Sequence, residues 1–568
     1  MKKKLALVLA VVMLLCSALC ACGEAVPAAP TKIPAAPSEE PPAPVEASPA
    51  PTEEPAAEGK QLTVIIGSDP ETLDPALNVL QEDGNKIIHL LECLLIADEN
   101  GELTGGCAET WETSEDGLTW TFRLRGGLKW SDGSPLTAED FVYSWKRVAD
   151  PATESPYAEI VLQPIKGYEE ALAGNPDALC ISAPDEQTFV VELSAPCTYF
   201  GSLAAFATLS PVQRATVEAN GGDWALSPET YIGNGAFRIS EWVPGSYIVM
   251  EKNPNYRDAD AIKLDSIKWL FCDSDQAAYD AYGAGEVLLT RQVASDALPE
   301  LMGREDFRME PIIGTYFVTL NTSVEPFTDP SVRRALSLAV DRQYVTEGPM
   351  LGSGSPARNF IGPGWLDPAG GDFMANANGG DPYISEDMEA NLAEARALMR
   401  QAGYHADPAN PDLHLTYSTN DANQNVALAE YLREAWAKIG VELEINIVDS
   451  ANFSAERRAG NFEISRNGWI GDYSDPSSLL DLMYSTNGNN DGRYTSAAFD
   501  AAIDTARSTA DPVVRSQALH EAEDIMMTDM ACIPIEYYNT YWLQSPLVEG
   551  MWHTSTGYLC FMYADIAA

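Results

Sequence analysis

The chain is 568 residues long, 45% of them hydrophobic, and carries 84 acidic against 35 basic side chains, a formal charge of −49. That length supports two or three domains with large cores. So acidic a chain is not drawn to nucleic acid or anionic lipid by charge, and its five scattered histidines form no His-Glu-x-x-His zinc motif.

Lys2, Lys3 and Lys4 precede an apolar run, Leu5 to Leu15, that is too short to span a bilayer as a mature helix. Leu19-Cys20-Ala21-Cys22 then resembles the bacterial lipobox, whose last Cys receives a lipid. Residues 1–21 are therefore expected to be a lipoprotein signal peptide. Cys22 is expected to anchor the chain to the outer face of the cell membrane, because buried lipid methylenes hold without a spanning helix. Glu24 to Lys60 contain ten prolines and no aromatic residue, so 22–60 read as an extended, Pro-stiffened tether.

From residue 61 the pattern becomes globular. Leu62 to Ile66 reads as a buried strand and Lys86 to Ala97 as a helix. Leu118 to Arg125 alternates, with Leu118, Trp120, Phe122 and Leu124 on one face. A turn at Ser131-Asp132-Gly133 follows, and Thr137 with Asp140 forms a capping box opening a helix from Ala138 to Val148. Further strands are expected at 189–193, 235–242 and 247–251.

The second half reads as more strongly α/β. Strand Tyr316 to Asn321 precedes a helix begun by Asp329-Pro330 and running to about Val345. Strand Leu413 to Ser418, helix Asn423 to Ile439 stopped by Gly440, and strand Val441 to Val448 have the lengths of a parallel βαβ unit. Phe462 to Trp469 adds a strand, and Asp475-Pro476 caps a helix through Met483. Helices near Phe499 and Val513 and a strand from Ile533 to Tyr538 close the chain. The fold class is mixed α/β in two lobes, with ligand between them.

Seven cysteines remain in the globule, Cys93, Cys107, Cys180, Cys197, Cys272, Cys532 and Cys560, an odd number at irregular spacings with no zinc-type pair. Partial disulfide pairing and free thiols both stay open. No Gly-x-Ser-x-Gly elbow, phosphate loop or metal-ligand cluster is present, so neither an enzyme, a cofactor nor a metal is expected.

Several segments together resemble the oligopeptide- and dipeptide-binding proteins of bacterial ABC importers, extracellular solute-binding protein family 5. They include Ser68-Asp69-Pro70-Glu71-Thr72-Leu73-Asp74-Pro75, Lys129-Trp130-Ser131-Asp132-Gly133, Ser144-Trp145-Lys146-Arg147, Gly233-Asn234-Gly235-Ala236-Phe237, Lys252-Asn253-Pro254-Asn255-Tyr256, Ala339-Val340-Asp341-Arg342 and Trp469-Ile470-Gly471-Asp472-Tyr473-Ser474-Asp475-Pro476. Their order and spacing across the globule carry the likeness. The resemblance implies a venus-flytrap fold with an extra small domain: lobe one from 61–92, 219–320 and 540–568, the small domain from 93–218, and lobe two from 321–539. It implies an extracytoplasmic, monomeric binding protein that delivers short peptides to ABC permease subunits and touches the membrane only through its lipid.

A receptor for varied peptides must grip what they share: an ammonium, a carboxylate and a backbone. By the resemblance Asp472 takes the ammonium, although an aspartate there also suits a turn. Asp475, directly before Pro476, reads as a helix cap. Arg466 is matched to the carboxylate of a short ligand and Arg457 to that of a longer one. Trp469, beside Gly468, is matched to a wall against a ligand side chain, and Tyr157 to a small-domain residue reaching the ligand. Asn423 stands where such proteins often have histidine, and Ser450 replaces a tryptophan. A nickel chelate, haem or sugar on the same fold, and a peptide-sensing receptor, remain as alternatives.

Overall fold

The computed structural model describes residues 59–99 and 101–567. The expected signal peptide, Cys22 and nearly all of the expected tether lie outside them. Among the described residues no helix is long and apolar enough to cross a membrane, and no group of three His, Cys, Asp or Glu could hold a metal. All seven described cysteines are free thiols.

An eleven-stranded sheet organises the molecule. Its order from one edge is Val441–Val448, Leu413–Asn420, Ile464–Ile470, Phe307–Leu320, Cys532–Gln544, Leu289–Thr290, Gln61–Ile65, Ser266–Leu270, Tyr247–Lys252 and Phe237–Val243, with Gly354–Pro356 joining at Cys532–Gln544. The expected βαβ unit is present. Leu413–Asn420 pairs in parallel with Val441–Val448 from Leu413↔Val441 to Asn420↔Val448, and helix Asn423–Ala437 connects them. Gly440 sits at φ +81°, where a Cβ would come within 2.9 Å of the Ala406 Cα, so glycine is required at this helix stop.

The strands Phe307–Leu320 and Cys532–Gln544 cross the middle of the sheet as an antiparallel pair. Phe307 to Pro311 pair with Leu543 to Asn539, and Thr315 to Thr319 pair with Tyr537 to Cys532, with a register shift between. Both are longer than the alternation suggested, and Ile312–Leu320 and Cys532–Tyr537 are buried on both faces and so lack a period of two.

Three large apolar cores surround this sheet. One gathers Leu62, Ile87, Trp269 and Phe561. A second gathers Val318, Leu336, Trp436 and Leu519. The third packs Phe122, Trp145, Phe189 and Phe200 against a separate four-stranded sheet built from residues 108–192. There the Thr137–Asp140 capping box is formed.

Two expected helices are corrected. The first runs Gln81–Leu90, not to Ala97. The Leu90 carbonyl accepts the Gly235 N–H, and Asn234 bonds the Glu92 backbone from both sides. This holds the chain extended into strand Leu95–Ala97. The second is two helices, Pro330–Leu338 and Arg342–Glu347. Asp341 caps the latter by accepting the Tyr344 N–H, and the Arg342 guanidinium captures the Ser337 and Val340 carbonyls at the break.

Many motif residues prove to be scaffold. Buried Asp74 accepts two hydrogen bonds from Arg147 and one from the Trp224 indole. Arg333 and Arg342 donate to buried carbonyls of Asp529, Met530 and Pro534.

Candidate functional site

The site begins with one strand that loses a neighbour. Ile464–Ile470 pairs antiparallel with Phe307–Leu320 along its whole length, from Ile464↔Leu320 to Ile470↔Gly314. On its other side Leu413–Asn420 meets it only at Tyr417↔Ile464 and Ser418↔Ser465. From Arg466 onward that edge has no strand beside it. The Gly471 N–H donates to the Ile313 carbonyl at 2.7 Å. Antiparallel alternation then turns the backbone groups of Arg466, Gly468 and Ile470 toward the open edge. Two are engaged locally: the Gly468 N–H donates to the Asn467 Oδ1, and the Arg466 carbonyl accepts from Arg457. The rest of the edge suits an added extended segment.

Gly468 is closely approached: a Cβ there would lie 2.1 Å from the Tyr538 hydroxyl, which would have to move. Trp469 is half-buried against the Val318–Trp436 core, and its indole Nε1 has no hydrogen-bond partner.

Asp472 follows the strand end. Its N–H donates to the Ser478 Oγ at 3.1 Å. Burial pushes its carboxyl up to about 6, partly opposed by a hydrogen bond from the Tyr157 hydroxyl. Tyr157 is itself pushed up to about 12, by burial first and then by the Asp472 charge. No cation lowers Asp472. Asp475, by contrast, accepts from the Ser477 N–H and pairs with buried Arg515 at 2.7 Å. The N-cap position of helix Ser477–Leu480 falls on Pro476 and not on Asp475 as expected, and the Asp475 carboxylate is held by Ser477 and Arg515.

Tyr157, Gly468, Trp469 and Asp472 line one cavity of about 370 Å³. Tyr157 and Asp472 also line an adjoining cavity of about 330 Å³. The two arginines stand toward the other end of the strand. Arg466 lies over the rings of Phe453 at 5.2 Å and Tyr316 at 6.0 Å, with its Nε unpartnered and no carboxylate paired to it among the described residues. Arg457 lies over the same Phe453 ring at 5.6 Å, but its Nε already donates to Asp491 at 2.7 Å. It lines a third cavity with Phe453 and Ser465. Asp491 therefore competes with any ligand carboxylate for Arg457.

Phe453, Tyr538 and Asp491 escaped the sequence reading. Phe453 had a usable signal: it lies four residues before Arg457 on helix Ser450–Ala459, which puts both on one face. Tyr538 and Asp491 come from distant segments and had none.

Comparison with known proteins gives the family and the fold. Residues 102–491 match the model of the bacterial extracellular solute-binding proteins, family 5. The chain is 34% identical over 493 residues to the periplasmic oligopeptide-binding protein OppA of Salmonella typhimurium, covering 85% of this chain and 88% of that one. It is also 34% identical over 490 residues to the "Probable deoxycholate-binding periplasmic protein YgiS" of Escherichia coli, covering 85% and 89%. The solved structure of Haemophilus influenzae OppA in complex with the peptide RPPGFSPFR superposes with a TM-score of 0.71 at 27% identity, covering 90% of this chain and 99% of that one.

Proposed function

The chain belongs to the bacterial extracellular solute-binding proteins of family 5, and from that premise we propose that it captures short peptides by their two termini and hands them to the permease of an ABC importer. Members of this family are binding proteins, not enzymes. The observation that carries the peptide reading is the pair of unmatched charges along one open strand. Asp472 is half-buried with no cation beside it, and Arg466, also half-buried, is held among aromatic rings with no anion among the described residues. They stand six residues apart, Arg466 within the strand and Asp472 two residues past its end. A buried charge without a partner is costly unless a ligand supplies one.

In this reading the ammonium meets Asp472, the carboxylate meets Arg466, and the backbone pairs with the open edge. The division is lobe one (61–92, 219–320, 540–568), a small domain (93–218) and lobe two (321–539), although Ile313 to Leu320 pack in the core of lobe two. Cys22 carries the lipid, and the chain acts as a monomer at the outer face of the membrane. The test is calorimetry on residues 61–568, refolded to strip carried ligand, with di- to hexapeptides in free and N-acetylated forms. Binding lost on acetylation supports the reading. No binding of any free peptide overturns it.

A further inference from the structure

Resting on the assignment of the ammonium to Asp472, we propose that the adjoining cavity is a subsite for a large uncharged apolar side chain on the ligand residue nearest that ammonium. The cavity holds about 330 Å³ and is walled by Val79, Leu80, Leu103, Phe206, Leu366 and Ile470. Four of these are large apolar side chains left open to solvent: Val79 at 56%, Leu80 at 51%, Leu366 at 46% and Ile470 at 41%. Exposed apolar groups gathered around one concavity mark a surface that another apolar group covers.

The charge pattern names the occupant. Among the described residues lining the cavity, Asp472 is the one ionised side chain. His89 is neutral: its Nε2 accepts the Phe561 N–H and its Nδ1 donates to the Asn85 carbonyl. The wall thus offers no cation to an acidic side chain. The ligand ammonium itself occupies the one anion, so a lysine or arginine side chain finds no partner either. Tyr157, Ile470 and Asp472 line both this cavity and the one beside the open strand edge. A chain whose ammonium reaches Asp472 along that edge therefore places its first side chain at this opening.

The experiment titrates a peptide series X-Ala-Ala, with X as Leu, Phe, Ser, Lys or Glu, each free and N-acetylated, into wild type and Leu80→Asp. Leu80 occupies the N-cap position of helix Gln81–Leu90 without a side-chain cap bond, a position aspartate suits, so this variant folds. Leu and Phe are expected to bind at least about tenfold more tightly than Ser, the lower end of what burying such a side chain yields, with Lys and Glu weaker than Ser. In Leu80→Asp, which removes an apolar wall group, the advantage of Leu over Lys should fall. Equal affinities across X, with acetylation still abolishing binding, would overturn the subsite and leave Asp472 in its role. Affinities indifferent to acetylation would overturn both, as would binding of deoxycholate without binding of any peptide.

Discussion

Replacing Asp472 with asparagine should strengthen the empty protein and weaken its grip on peptide. Burial raises the Asp472 carboxyl from 3.8 to about 6. At about 1.4 kcal/mol per unit, two units correspond to roughly 3 kcal/mol, reduced to about 2 kcal/mol for the part that water still reaches. Because the folded-state value is raised, the wild type bears this cost fully above about pH 6 and sheds it as pH falls toward 3.8. Asparagine keeps the bond with Tyr157 without the charge. Urea unfolding at pH 8 should show Asp472→Asn about 2 kcal/mol more stable than wild type, with the gap closing toward pH 4. Peptide affinity should fall in the same variant, since the ammonium loses its partner. A variant less stable than wild type at pH 8 would refute the reasoning. Asp472 would then be a turn aspartate satisfied by its own backbone.

Other substitutions separate ligand contacts from scaffold. Arg466→Met should lower affinity for free-carboxylate peptides by about tenfold or more while leaving C-terminally amidated peptides unchanged, as calorimetry would show. Arg147→Met leaves Asp74 buried without its guanidinium and should destabilise by about 3–5 kcal/mol in denaturant melts without altering the affinity of the folded fraction. Glu523 and Glu536 are both pushed up to about 8 by burial. Each gains its charge in the folded protein only near pH 8, so wild-type stability should decline as pH rises from about 4.5 to 8, and Glu523→Gln/Glu536→Gln should flatten that decline in pH-resolved melts.

Local signals in the sequence located most elements of this fold. The capping box at Thr137 and the βαβ unit around Asn423–Ala437 depend on neighbours within a turn or two, and both form where the pattern puts them. The misread helices fail for a tertiary reason. Leu90 to Ala97 is apolar except for Glu92, and contacts from Asn234 and Gly235, far along the chain, decide where its helix ends. The site divides similarly. Asp472, Tyr157, Gly468 and Trp469 were singled out by motif, and they meet around one cavity. That Phe453 carries both arginines follows from a helix packing against a strand, and that Asp491 already holds Arg457 follows from a turn brought in from further along the chain. No spacing rule in a single chain reports the Asp491 contact.

The most direct test of the ammonium contact is the proton count on binding. Peptide titrated calorimetrically at pH 6, in buffers of different ionisation enthalpy, should release about half a proton per site from wild type. Asp472, half-protonated there, must ionise to meet the ammonium. Asp472→Asn should release none with whatever affinity remains. Equal proton exchange by the two proteins would contradict the account and remove Asp472 from the ligand.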